Sequence, residues 1–116
     1  MKKIYLAIGY EPLENYLRNK LDKEYIFCGT SVYRDAVIKG ISQKNPDILI
    51  IRETLSGTID ILTLVHEIRK RYSNIRIIFV AGRRAPGDEV LSTLVGLGVW
   101  DILYGESVQA DRKSVV

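Results

Sequence analysis

Five short apolar runs constrain this chain more than any other feature. They are Ile4–Ile8, Tyr25–Phe27, Asp47–Ile51, Ile75–Val80 and Trp100–Leu103. Their starts recur at intervals of roughly 20–30 residues, the length of one strand followed by one helix. The runs are continuous rather than alternating. A strand with one wet face alternates, whereas a continuous run marks a strand covered on both faces, as in a parallel sheet flanked by helices.

The segments between the runs carry helical stripes. Leu13, Tyr16, Leu17 and Leu21 follow a Pro12 suited to a first helical turn. Val32, Ala36, Val37 and Ile41 form a second stripe, with Thr30 or Ser31 as its cap. Ile61, Leu64, Val65, Ile68 and Tyr72 form the clearest. Val90, Leu91, Leu94 and Val95 form a fourth, capped by Asp88 and ending near Gly96 and Gly98. A fifth would start at Ser107, with barely ten residues left. Five β-α units joined by right-handed crossovers predict an open, doubly wound α/β sheet with a short last helix. All 116 residues make one domain.

Composition removes several function classes. The net charge of +3 is spread along the chain with no run of five like charges, so a nucleic-acid arm is not indicated. One cysteine, Cys28, excludes an intrachain disulfide or a cysteine-based zinc site and predicts a reducing, cytoplasmic setting. Ile4–Ile8 is too short for a signal peptide or membrane span. There is no phosphate-binding G-x-x-x-x-G-K-[ST] motif, and Gly96-x-Gly98 lacks the strand-before, helix-after setting of a dinucleotide site. No cofactor is implied. His66 has no nucleophile or acid motif around it and reads as a helix surface residue, so no enzyme is expected. The Arg69-Lys70-Arg71 run and Arg76 suit a helix carboxyl end.

In doubly wound sheets, function gathers at the carboxyl ends of the strands. The loops there are Gly9–Pro12, Arg52–Thr58, Ala81–Asp88 and Tyr104–Ser107. Their surroundings resemble the receiver domain of two-component response regulators, over roughly residues 2–107. Ile8-Gly9-Tyr10-Glu11-Pro12 resembles that family's V-D-D-E-P, and Pro46-Asp47-Ile48-Leu49-Ile50-Ile51 its P-D run before the third strand's end. Asp60-Ile61 through Ile68-Arg69 resembles D-G-L-E-L-L-x-x-I-R, and Gly98-Val99-Trp100-Asp101-Ile102-Leu103 resembles G-A-D-D-Y-L. The resemblance implies a flavodoxin-like sheet of five parallel strands in the order 2-1-3-4-5.

Receivers hold a divalent cation with an acid pair and an aspartate, phosphorylate that aspartate, and read the phosphate with a Thr or Ser and a Lys. In this alignment the acid pair falls on Gly9 and Tyr10 and the acceptor on Arg52. The hydroxyl falls on Ala81, the lysine on Gly105 and the aromatic switch on Ile102. The resemblance therefore implies a degenerate receiver site without metal: the scaffold without its phosphotransfer. A displaced carboxylate, Glu11 or Glu53, is the rival acceptor. Arg52, Arg83 and Arg84 make a cationic pole that would grip a small anion or nucleotide, or else Arg52 pairs with Glu11 or Glu53. The expectation is an Arg52–Glu11 ion pair, with Glu53 pointing away.

The function expected is signalling through a protein partner, a downstream domain of the same chain or a second copy, with neither membrane nor nucleic acid involved. Ile50-Ile51-Arg52-Glu53-Thr54-Leu55 followed by Gly98-Val99-Trp100-Asp101-Ile102-Leu103 also resembles the amino-terminal domain of MinD/ParA-type ATPases, including those that localise pilus-assembly machinery. On that resemblance the chain, ending inside its expected fifth helix, is the amino-terminal piece of a longer protein.

Overall fold

A computed structural model describes residues 1–82, 89–99 and 101–104. The elements follow the order β1 (Lys2–Ala7), α1 (Glu11–Leu21), β2 (Tyr25–Thr30), a 3-10 turn (Arg34–Ala36), α2 (Val37–Lys44), β3 (Ile48–Arg52), α3 (Ile61–Arg71), β4 (Arg76–Ala81), α4 (Glu89–Gly96) and β5 (Asp101–Tyr104). The strands form one parallel sheet ordered β2-β1-β3-β4-β5. This is the α/β, flavodoxin-like arrangement expected. Among the described residues, no helix is long and apolar enough to cross a membrane.

The continuous apolar runs divide by parity between two cores. Ile4, Leu6 and Ile8 of the first run and Ile48 and Ile50 of β3 face α1, packing with Leu13, Tyr16, Leu17 and Leu21. Tyr5, Ala7, Leu49, Ile51, Ile77 and Phe79 face the other side, against Val37, Ile41, Ile61, Leu64, Val65, Ile68 and Leu94. Phe79 and Leu6 are fully buried. Burial on this scale contributes about 1.5–3 kcal/mol for each large side chain.

The second helix differs from its expected stripe. Val32 is 55% exposed and outside any helix, and α2 begins only at Val37. Ser31 does not cap it. Its hydroxyl hydrogen-bonds the Tyr5 phenol in the interior, and its amide donates to the Leu6 carbonyl. Once Ser31 is committed to β1, the chain turns through Tyr33–Ala36 before helix can start. By contrast, Asp60 caps α3 by accepting from the Thr63 amide at 3.1 Å. Trp100, the Asp88 cap and the fifth helix lie outside the described residues.

Candidate functional site

The carboxyl edge of the sheet is built first by Gly9. Its φ of +65° turns the chain out of β1 and into α1. A Cβ there would lie 2.9 Å from Leu55 Cδ1 and 3.6 Å from the Val32 carbonyl oxygen. Leu55 is 1% exposed and has little room to yield. Only glycine satisfies both the left-handed backbone and the close approach.

Arg52 closes β3, opposite Val80 of β4. Its Nε donates to the Ile8 carbonyl at 3.0 Å, and its guanidinium carbon sits 5.1 Å from the centroid of the Tyr10 ring. The expected Arg52–Glu11 ion pair does not form: neither salt bridge found among the described residues involves either residue. The reason is the turn at Gly9. It brings Tyr10 beside Arg52 and leaves Glu11, in the first turn of α1, exposed. The cation is thus held by a carbonyl dipole and an aromatic face rather than by a carboxylate.

Glu53 turns toward β4. It is 9% exposed, its Oε1 accepts the Gly82 amide at 2.8 Å, and its own amide donates to the Val80 carbonyl at 2.8 Å. Ala81 is buried at the end of β4, and Ile102 in β5 packs against the core. Arg83, Arg84 and Gly105 lie outside the described residues.

This donor set does not fit a divalent cation. Such ions need several hard oxygen ligands converging on one point. Here Gly9 offers no side chain, Tyr10 is stacked on a guanidinium, and Arg52 brings a positive charge to the spot. Among the described residues no group of three or more His, Cys, Asp or Glu side chains is arranged to hold a metal.

A second device at the same edge has no local signature along the chain. Arg34 Nη1 donates to the Ile59 carbonyl and Nη2 to the Glu53 carbonyl, both at 2.9 Å, while the Arg34 amide reaches the Ser56 carbonyl at 2.7 Å. The Asp35 carboxylate accepts from the Thr58 hydroxyl at 2.7 Å and from the Thr58 and Ile59 amides at 3.2 and 3.3 Å. These bonds, the Thr58 hydroxyl first, hold the Asp35 carboxyl below the ordinary aspartate range. Arg34 and Asp35 together pin the β3–α3 loop from the β2–α2 connection. Their partners lie 19–25 residues away along the chain, so no local motif announces them.

Arg69 and Arg76, on either side of the α3–β4 connection, are also engaged. Arg69 donates to the carbonyls of Ser73, Ile75 and Leu97. Arg76 makes a two-bond pair with Asp101, at 2.8 Å each. That pair lowers the Asp101 pKa, mainly through the hydrogen bonds. Cys28 is half-buried on β2, with burial pushing its thiol pKa up.

No family model matches the chain, and no curated protein matches it. Solved structures do. The isolated REC domain of RcsB from Salmonella enterica serovar Typhimurium, in the presence of the phosphomimetic BeF3−, gives a TM-score of 0.80 at 18% identity, over 90% of this chain and 78% of that one. The non-phosphorylated receiver domain of the stress response regulator RcsB from Escherichia coli gives 0.79 at 17% identity, over 97% and 88%. A DNA-binding response regulator of the LuxR family from Staphylococcus aureus gives 0.77 at 20% identity, over 91% and 88%. At these identities the likeness is one of fold. The chain has the architecture of a response-regulator receiver domain.

Proposed function

We propose that this chain is a non-phosphorylatable receiver-like regulatory module that acts by binding a protein and catalyses no reaction. The observation that carries the proposal is Arg52. At the end of β3, where the resemblance puts a phosphoacceptor, stands a guanidinium anchored on the Ile8 carbonyl and stacked on Tyr10. An acid in place of Gly9 would meet Leu55 and an unfavourable φ, so a metal site would need more than one substitution to return. The partner is a separate protein or a domain downstream in the same chain. The resemblance of residues 50–55 and 98–103 to the MinD/ParA class supports an attached ATPase as the regulated domain. A Walker motif encoded downstream of Val116 is the observation that checks this.

The rival reading, phosphorylation of a displaced carboxylate, centres on Glu53, which sits at this edge but spends Oε1 on the Gly82 amide. Treatment with acetyl phosphate and magnesium followed by intact-mass measurement separates the two. An unchanged mass for the natural chain and for Arg52→Asp supports the proposal. A stable gain of one phosphoryl group on Glu11, Glu53 or Asp47 overturns it. Magnesium and manganese should likewise give no saturable spectral change at millimolar concentration.

A further inference from the structure

Among the described residues, three of the seven large apolar side chains that stand in solvent lie in two neighbouring connections. Tyr10 is 37% exposed, Val32 55% and Tyr33 59%. All three lie in the β1–α1 and β2–α2 connections at the carboxyl edge. The two connections touch, because a Cβ on Gly9 would approach the Val32 backbone to 3.6–3.9 Å. Tyr10 carries Arg52 on its ring, and among the described residues the Arg52 guanidinium has no hydrogen-bond partner beyond the Ile8 carbonyl. Beyond Tyr33 lies a shallow depression of about 730 Å³, lined by Tyr33, Asp35, Ala36, Lys39, Gly57 and Thr58. Its Asp35 carboxylate is already engaged by Thr58 and Ile59. Two cations, Arg52 and Lys39, thus flank an aromatic and aliphatic ridge.

We infer that this ridge is a docking surface for a protein segment that combines apolar side chains with a carboxylate. The inference deepens the protein-binding reading above and rests on it. Aromatic side chains beside an arginine are the groups that dominate binding energy at protein interfaces. The apolar groups of the partner cover Tyr33 and Val32, and its carboxylate takes the guanidinium nitrogens of Arg52. A small molecule fits less well, since small-ligand sites are concave and enclose most of the ligand, whereas this ridge stands out from two loops. The pinning of residues 53–60 by Arg34 and Asp35 keeps the depression preformed, which lowers the ordering cost of binding.

The test is selection of a random dodecapeptide phage library on the natural chain, followed by affinity measurement of synthetic winners on Arg52→Gln and Tyr33→Ser. The Tyr33 side chain stands mostly in solvent, so its replacement keeps the test valid if Arg52→Gln unfolds. The expected winners contain Asp or Glu beside Leu, Phe or Trp. They lose at least tenfold in affinity on either variant, and in amide NMR spectra they shift Tyr10, Val32 and Tyr33. Failure to enrich any peptide, or winners lacking a carboxylate, overturns the inference. So does displacement of the winners by millimolar inorganic phosphate or ATP, which would instead mark a small-anion site. Winners insensitive to both substitutions overturn the surface and leave the protein-binding reading standing. Uptake of a phosphoryl group in the mass assay overturns the non-phosphorylatable reading alone.

Discussion

Arg34→Ala should destabilise the fold by about 2 kcal/mol, although Arg34 lies in a surface connection. Two charged hydrogen bonds to carbonyls, those of Ile59 and Glu53, are lost. Bonds of this kind contribute about 1.5–3 kcal/mol each, and the lower end is taken here because both bonds are only part-buried. Against that loss of about 3 kcal/mol stands a gain. Arg34 Nε is buried without a hydrogen-bond partner among the described residues, and removing it relieves about 1 kcal/mol. The net falls near 2 kcal/mol. With a urea dependence of about 1–3 kcal/mol per molar, the unfolding midpoint followed by circular dichroism should drop by roughly 1 M. Arg34→Lys should recover only part of the loss, because one ammonium group cannot reproduce the two-pronged geometry. Asp35→Ala provides a local readout: exchange of the Thr58 and Ile59 amides, which donate to that carboxylate, should accelerate. The two substitutions act on one loop and should combine sub-additively. A midpoint change equivalent to less than about 0.5 kcal/mol for Arg34→Ala, or unchanged exchange at both amides in Asp35→Ala, would refute the clamp.

Other perturbations have equally definite outcomes. Arg52→Ala removes one bond to the Ile8 carbonyl and the stacking on Tyr10, and should lower stability by about 1–2 kcal/mol in urea unfolding; a neutral result would mean that the guanidinium is not held. Gly40→Ala gains up to about 1 kcal/mol of helix preference, but its Cβ would lie 1.9 Å from the Tyr5 hydroxyl oxygen. Overpacking costs typically about 1–3 kcal/mol, so the net should be destabilising. The loss should shrink in a Tyr5→Phe background, and an undiminished loss there would contradict the contact. Stability should also fall in acid. The Asp35 and Asp101 carboxyls titrate lower in the folded chain than unfolded. Their contribution is present above the unfolded value of about 3.9 and is lost as pH falls through the folded values. Urea midpoints from neutral pH to about pH 2 should show this limb, and it should flatten in Asp35→Asn/Asp101→Asn; an equally steep limb in the double variant would assign the acid sensitivity to other groups.

Strand and helix identity in this chain is a local property, and the sequence alone determined it. The unbroken apolar run of β3 states that both faces are covered, and its alternate residues do divide between the α1 side and the α2/α3 side. The stripe of α3 repeats within a dozen residues, close enough for local periodicity to reveal it. From repeated β-α units the sheet class follows, and with it the placement of Gly9, Tyr10 and Arg52 at one edge.

Tertiary structure decided how the side chains at that edge are used. Strand adjacency alone made Glu11 the natural partner for Arg52, but the left-handed turn at Gly9 delivers an aromatic ring in its place. Ser31 has the chemistry of a helix cap, yet it faces a buried tyrosine from another strand and is taken up there. Arg34 and Asp35 read as an ordinary polar pair until the β3–α3 loop is folded against them. In each case the deciding contact joins residues distant along the chain. A single sequence encodes periodicity over a few turns, whereas which polar group meets which carbonyl depends on turn geometry and on the packing of elements that local patterning does not reach.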